Sequence, residues 1–235
     1  MLFSEIVLTD AAQAQDFPKL RGRMVQEVDA MYAQTRSETG LAAMSEPVRR
    51  ALGKVERHRF LPPPPQGSAA YGNHPLPIGK GQTISQPYIV ALSTDLAQVD
   101  SDSVVLEVGT GSGYQAAVLA QIAARVFSIE LIASLGNEAR KRLEELGYGN
   151  IEIRIGDGYK GWPEKAPFDA IVVTAAAPRV PQALLDQLKP GGRLVIPVGG
   201  DSEIQYLKLI TRRADGGYDE KRVLPVRFVP LVPGK

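Results

Sequence analysis

Cysteine is absent from this chain of 235 residues, and histidine is nearly so, with only His58 and His74. Without cysteine there can be no disulfide bond, no thiolate metal ligand and no cysteine nucleophile. Two histidines are too few for a histidine-based metal site unless several carboxylates join them. The sequence therefore predicts no metal site and no covalent cysteine chemistry.

An excess of charge of either sign is also lacking, since 27 Lys and Arg residues face 26 Asp and Glu residues. Proteins that bind nucleic acid usually need a clearly basic face. The first ten residues contain an acid, Glu5, a short apolar run and no basic region, which fits neither a secretory signal nor a membrane span. We expect a cytoplasmic protein with neither nucleic acid nor membrane as a partner.

Apolar residues make up 44% of the chain and alternate between helical and strand-like spacing. Helices are predicted at 17–34, 45–54, 87–97, 115–120, 132–146 and 181–188, and strands at 104–106, 126–129, 151–155, 168–174 and 193–197. Such alternation predicts an α/β fold with a doubly wound, mostly parallel sheet. Segments 203–212 and 221–229, joined by Asp215-Gly216-Gly217, predict a C-terminal antiparallel hairpin that completes seven strands.

A glycine-rich turn follows the strand that begins at Val104. The strand ends near Glu107, and Gly109, Gly111 and Gly113 then alternate with other residues before a helical pattern begins. A turn of this kind presents backbone N–H groups to a ligand, and glycine lets the backbone come close to it. The turn is therefore the candidate cofactor site.

Two cofactors compete for this turn. A dinucleotide fold requires G-x-G-x-x-G and an acid about twenty residues later, and Glu130 stands at about that distance. Tyr114, however, occupies the position of the third glycine, and Glu107 would repel a pyrophosphate. An acid there suits the cationic amino-acid end of S-adenosylmethionine. The pattern therefore favours the Rossmann-like fold of a class I methyltransferase over a dehydrogenase.

Acids also follow the next two predicted strands. Glu130 is expected to accept hydrogen bonds from both ribose hydroxyls, and Asp157 to meet the adenine amino group beside the backbone of Gly158. Alone, Asp157 between two glycines would be a turn residue. Acids at three successive strand ends favour a ligand site, because these ends line the crevice where such sheets bind ligands.

Two features that the sequence lacks limit the choice of methyl acceptor. The Asn/Asp-Pro-Pro-aromatic loop common in methylation of base amino groups is missing after the fourth predicted strand, where the chain reads Thr174-Ala175-Ala176-Ala177-Pro178. Methylation at a pyrimidine carbon needs a cysteine, which the chain lacks. A nucleic-acid acceptor is therefore not expected.

Several segments resemble protein-L-isoaspartate (D-aspartate) O-methyltransferases. The most specific are Gln82-Thr83-Ile84-Ser85-Gln86-Pro87-Tyr88 and the Ala-Ala-Ala-Pro run after Thr174. The resemblance covers about residues 45–231 and continues through 106–114, 156–158, 166–171, 189–194 and 227–231. Residues 1–40 match nothing in it and are expected to be a partly helical extension, with a poorly ordered start over residues 1–15. The methyltransferase domain is expected at 41–235, with a helical cap and active-site segment at 41–100 and the sheet core at 101–235.

The resemblance implies methyl transfer from S-adenosylmethionine to the free α-carboxyl of L-isoaspartyl and D-aspartyl residues in damaged proteins and peptides. It further implies that Ser85 supplies an active-site hydroxyl, that 84–87 cover cofactor and substrate, and that the tail at 229–231 shapes the peptide groove. The residues expected to contact the cofactor are Ile84, Gln86, Pro87, Glu107, Gly109, Thr110, Gly111, Ser112, Gly113, Glu130, Leu131, Asp157, Gly158 and Thr174.

Other interpretations remain open at this point. On spacing alone, Ser85 would be the N-cap of the helix that begins at Pro87. A small-molecule methyltransferase or a non-catalytic cofactor-binding protein could share the fold. Neither His58 nor His74 is expected to act in catalysis, because a carboxylate nucleophile is already ionised and needs no base. A monomer is expected.

Overall fold

The computed structural model describes residues 16–63, 67–200 and 202–234. The predicted poorly ordered start, residues 1–15, lies outside the described residues. So does half of the proline run at 62–65, which was expected to be extended.

Helices cover both faces of a central sheet. An N-terminal layer of helices comes before this sheet in the chain. The helices are α1 (Phe17–Gln34), α2 (Arg36–Thr39), α3 (Glu46–Lys54), α4 (Pro87–Ala97), α5 (Tyr114–Ala120), α6 (Ala133–Glu145) and α7 (Gln182–Asp186). The strands are β1 (Leu76–Gly79), β2 (Gln82–Ile84), β3 (Val104–Val108), β4 (Arg125–Glu130), β5 (Ile151–Ile155), β6 (Phe168–Val173), β7 (Leu188–Val198), β8 (Gln205–Arg212) and β9 (Tyr218–Val226). Short 3-10 turns complete the regular structure.

Seven strands form the main sheet in the order β5-β4-β3-β6-β7-β8-β9. The five strands from β5 to β7 pair in parallel, and β8 and β9 add an antiparallel hairpin at one edge. The predicted fold class is thereby confirmed. The chain leaves β3 in one direction to form β4 and β5, and it returns to the other side of β3 as β6. That reversal is where doubly wound sheets open a crevice at the carboxyl ends of their strands.

The β1–β2 hairpin and helix α2 were not predicted, and the helix predicted at 181–188 is wrong at its end. Lys80 and Gly81 both have positive φ angles, of 54° and 73°, and so make the tight turn between β1 and β2. Helix α7 stops at Asp186 because Leu188 is fully buried and pairs with Phe168 as the start of β7. The spacing of apolar residues within a helix contains no information about this pairing between distant strands.

Helix α1 is part of the core, although it lies within the predicted N-terminal extension. It begins behind an Asp16 cap, and it buries Met24, Val28 and Tyr32 against the other helices. The Tyr32 hydroxyl also donates a hydrogen bond to Asp95 on α4. The domain boundary at residue 40 stays a prediction, but deleting α1 would expose an apolar surface that the rest of the chain needs covered.

Met24→Ala is therefore expected to lower the free energy of unfolding by about 2–5 kcal/mol, the usual cost of truncating a fully buried methionine. Gln26→Ala, on the exposed face of the same helix, is the matched control and should change it by less than about 0.5 kcal/mol. Urea unfolding followed by circular dichroism measures both. If Met24→Ala changes the free energy of unfolding as little as Gln26→Ala does, α1 does not pack on the core in solution. A chain starting at Gly40 would then be stable.

Candidate functional site

The glycine-rich turn lies at the carboxyl end of β3, against the end of β6. Gly109 has a φ of 101°, and a Cβ atom there would lie 2.4 Å from Oγ1 of Thr174. That hydroxyl donates to the carbonyl of Gly109 at 2.6 Å, and the Thr174 backbone N–H donates to the carbonyl of Val108 at 2.9 Å. Only glycine combines this backbone conformation with so close an approach. The turn is thus fixed against β6.

Three cavities lie at or beside this turn, and all of them are lined by Thr83 and Thr174. The sheet-edge cavity is also lined by Gln82, Val108, Gly109, Gly111, Ile129, Glu130, Leu131, Ile132, Gly158, Ala175 and residues 229–232. The inner cavity is also lined by Ile84, Ser85, Val90, Glu107, Tyr114, Gln115 and residues 109–112. The outer cavity, which opens beside them, is also lined by Pro75, Ser85, Gln86, Ile89 and residues 225–229.

Glu130 ends β4 with its carboxylate in the wall of the sheet-edge cavity. One oxygen accepts the N–H of Gly111 at 2.7 Å, and the other accepts the N–H of Ile132 at 2.9 Å. Each carboxylate oxygen can accept more than one hydrogen bond. The carboxylate is therefore held in place by two backbone segments and keeps acceptor capacity for a ligand hydroxyl.

Glu107 is completely buried at the end of β3. Its Oε2 accepts a hydrogen bond from Ser128, whose hydroxyl is in turn bonded to Thr110. Its Oε1 has no hydrogen-bond partner among the described residues. Burial raises the pKa of this carboxyl to about 8; the nearby Glu130 carboxylate adds to the effect, and the Ser128 bond opposes it. A buried carboxyl with one free oxygen suits a cationic partner.

Ser85 lies between β2 and α4 and lines both the inner and the outer cavity. Ser85 does not cap the helix. Gln86 occupies the N-cap position of α4, and its side chain forms no cap hydrogen bond. The interpretation of Ser85 as a helix cap is therefore wrong. Ser85 is half-buried and borders both of these cavities.

Three of the residues expected to contact the cofactor line none of these cavities. Pro87 is buried at the start of α4, and Gly113 is the N-cap residue of α5 with a φ of 88°. Asp157 accepts the N–H of Tyr159 and caps a short 3-10 turn. Their contact with the cofactor stays a prediction, as do the roles of the other predicted site residues. Thr110, although it borders the inner cavity, directs its hydroxyl to Ser128.

Sequence reasoning missed Thr83 and Ser128 as contributors to the site. Thr83 lines all three cavities, and Ser128 donates a hydrogen bond to Glu107. The C-terminal tail, expected only at the peptide groove, also lines the sheet-edge cavity, because Ala176 pairs with it on both sides of Pro230. The Tyr159 hydroxyl also donates to the carbonyl of Leu231. Only the pairing of distant segments brings this tail to the glycine-rich turn.

The histidines lie elsewhere. His58 stacks on Phe17 with ring centroids 3.9 Å apart and is hydrogen-bonded to Tyr71, whereas His74 is exposed. Neither lines any of the three cavities. The described part of the chain contains no group of three or more acidic or histidine side chains that could hold a metal ion. No described helix is long and apolar enough to cross a membrane.

The sheet order, the glycine-rich turn and the acids at the strand ends together define a class I methyltransferase fold. Comparison with known proteins narrows the class. The family model described as Protein-L-isoaspartate(D-aspartate) O-methyltransferase (PCMT) matches residues 27–235. This chain belongs to that family.

Sequence relatives and solved structures agree with this assignment. The chain is 56% identical over 208 residues to Protein-L-isoaspartate O-methyltransferase 2 of Polaromonas sp., covering 88% of this chain and 98% of the relative. It is 56% identical over 221 residues to Protein-L-isoaspartate O-methyltransferase 1 of Nitrosospira multiformis, covering 94% and 90%.

Among solved structures, a protein-L-isoaspartate O-methyltransferase matches with a TM-score of 0.76 and 29% identity; the match covers 89% of this chain and 65% of that one. A Plasmodium falciparum protein described as a member of the same class, in complex with S-adenosyl-L-homocysteine, matches with a TM-score of 0.71 and 25% identity, covering 92% and 98%.

The raised pKa of Glu107 predicts how stability changes with pH. Between about pH 4.5 and pH 8 the folded protein holds a proton at Glu107 that the unfolded chain has lost. Stability is therefore highest below the unfolded pKa and falls as the pH rises through this window, by at most about 1.4 kcal/mol per pH unit. Glu107→Gln, which cannot ionise, should gain stability relative to the unaltered protein as the pH rises from 5 to 8.

Urea unfolding of the protein without ligand at pH 5, 6.5 and 8 measures this difference. Glu138→Gln, which removes an exposed carboxylate on α6, is the matched control. A stability difference between Glu107→Gln and the unaltered protein that stays constant with pH would show that Glu107 is ionised in the folded protein.

Proposed function

We propose that this chain transfers a methyl group from S-adenosylmethionine to the free α-carboxylate of L-isoaspartyl and D-aspartyl residues in damaged proteins and peptides. Family membership supports this reaction. The observation that carries it is the position of Ser85, which is half-buried and borders both the inner and the outer cavity. A hydroxyl between a cofactor cavity and an open groove can bind an acceptor group at the point of transfer.

The residues present fit this cofactor. The free oxygen of Glu107 suits the cationic amino-acid end in the inner cavity. The Glu130 carboxylate suits the ribose hydroxyls in the sheet-edge cavity, and Gly158, which has no side chain to block a base, lines the same cavity. When bound, S-adenosylmethionine supplies a methyl group activated by its attachment to a sulfonium.

The protein's own contribution is alignment and exclusion of water. The α-carboxyl of an isoaspartyl residue has an ordinary pKa of about 3.5, so it is ionised at neutral pH and is already a nucleophile. The Ser85 hydroxyl donates one hydrogen bond to it and fixes its rotation. The outer cavity is lined mostly by apolar side chains, including Ile89, Phe228 and Val229, which displace water from the carboxylate.

The methyl ester carries methoxide as a leaving group, whereas the ionised carboxylate carries none that an amide can displace. The neighbouring backbone amide nitrogen can then attack the ester carbonyl, lose its proton and expel methanol, which closes a succinimide without help from the protein. Hydrolysis of that ring returns part of the material to L-aspartate. The enzyme therefore needs to supply only the methylation step to act in repair.

Methyl transfer to an isoaspartyl peptide, compared with the same peptide containing normal aspartate, tests the proposal. Transfer to the isoaspartyl peptide alone is expected. Transfer to neither peptide, with cofactor bound, would favour a small-molecule methyltransferase or a non-catalytic cofactor-binding protein. Action as a monomer in the cytoplasm, with neither nucleic acid nor membrane as a partner, stays a prediction.

Glu130→Ala should weaken the binding of S-adenosylhomocysteine by roughly 1.5–3 kcal/mol, the usual value of hydrogen bonds to a charged group. Glu130→Gln, which keeps one acceptor oxygen, should lose less. Isothermal titration calorimetry measures both, with Glu138→Ala as an exposed control on α6. If Glu130→Ala binds as tightly as the unaltered protein, Glu130 does not contact the ribose.

Ser85→Ala should lower turnover of an isoaspartyl peptide by about 10- to 100-fold, because one hydrogen bond to a charged group is lost. Ser85→Thr keeps the hydroxyl and should retain most of the activity. The dissociation constant for S-adenosylhomocysteine should stay within about twofold in both variants. Full turnover by Ser85→Ala would place the group that orients the carboxylate elsewhere.

A further inference from the structure

We propose that Asn73 is a positioning residue that caps helix α4 from outside the helix and so fixes the backbone that carries the Ser85 hydroxyl. The inference rests on the proposed role of Ser85. Asn73 lies in the loop before β1 and lines none of the three cavities, so it has no contact with substrate or cofactor of its own.

The first N–H groups of any helix lack partners within the helix and need acceptors from elsewhere. A serine just before a helix commonly provides one. In α4 the N-cap residue is Gln86, and its side chain forms no cap hydrogen bond. The backbone N–H of Tyr88 instead donates to Oδ1 of Asn73 at 3.0 Å. Asn73 thus supplies an acceptor that the N-cap residue does not supply.

A second bond runs in the opposite direction. Nε2 of Gln86 donates to the backbone carbonyl of Asn73 at 3.0 Å. The first bond caps a helix N–H, and the second holds the loop of Asn73 against the N-cap residue of α4. They attach the chain at Gln86 and Tyr88, directly after Ser85. The backbone that carries the Ser85 hydroxyl is therefore fixed immediately beyond it.

Helix α1 supports both partners of this cap. The amide nitrogen of Asn73 contacts the sulfur of Met31, which fixes the side chain with its oxygen towards Tyr88. The hydroxyl of Tyr88 is hydrogen-bonded to Thr35. Tyr32 packs edge-on against the ring of Tyr88 with centroids 5.7 Å apart. Asn73 therefore connects the N-terminal layer to the active-site segment.

The kinetic experiment is a double-mutant cycle on single-turnover methylation of an isoaspartyl peptide at saturating cofactor. Asn73→Ala should lower the rate about five- to tenfold, the size expected from loss of one helix cap. Asn73→Asp keeps the acceptor oxygen and should restore most of the rate. Because Asn73 acts through Ser85, adding Asn73→Ala to Ser85→Ala should cause little further loss. S-adenosylhomocysteine affinity should stay within about twofold throughout.

Amide hydrogen exchange at Tyr88 tests the cap without any methyl transfer. Exchange should be faster in Asn73→Ala and close to that of the unaltered protein in Asn73→Asp. The proposal is overturned if Tyr88 exchange does not respond to Asn73→Ala, or if Asn73→Ala lowers the rate equally with and without the Ser85 hydroxyl. Absence of methyl transfer by the unaltered protein would refute the proposed function instead, and the exchange result would still decide whether the cap exists.

Discussion

The site depends on one interaction across the sheet, the pair of hydrogen bonds by which Thr174 holds the turn after β3. Its N–H and hydroxyl bind the carbonyls of Val108 and Gly109, so the end of β6 fixes the start of the glycine-rich turn. The two strands are neighbours at the point where the chain reverses its direction of winding. Thr174 also lines all three cavities, so the residue that fixes the turn is part of the wall of each of them.

Burial of Glu107 is an energetic cost of this arrangement. A carboxyl that is completely buried, with one side-chain hydroxyl donating to it, is costly to ionise and opposes folding at neutral pH. The hydrogen-bonded chain through Ser128 to Thr110 holds it in one orientation. A cationic ligand end placed at the free oxygen would offset the cost. A ligand with positive charge therefore gains binding free energy at this position, because it lowers the cost of ionising the buried carboxyl.

Much of the fold could be predicted from the sequence, because the patterns that specify its strands and turns are local. Apolar runs located the strands of the parallel sheet, and the alternation of glycines located the cofactor turn. Ser128 could not be assigned to the site in this way, and the C-terminal tail was assigned to the peptide groove only through the family resemblance. Both reach the site through long-range pairing, of β4 in one case and of the turn after β6 in the other.

The cap on α4 shows the same limit more sharply. Spacing predicted Ser85 as the cap, because serine is common near the start of a helix that has proline in its first turn. In the structure Gln86 occupies the cap position without a side-chain cap bond, and the acceptor comes from Asn73, which carries no local signal of that role. Local rules fail here because a residue of another loop provides the cap.

The central claim is that the chain aligns a nucleophile that is already ionised and needs no base. The most direct test is the single-turnover rate of methyl transfer to an isoaspartyl peptide between pH 6 and pH 8, with cofactor saturating at every pH. A rate that stays level across this range is predicted, because the carboxylate titrates far below it. A rate that follows a group titrating near pH 7 would contradict the account and would make His74 the first residue to replace.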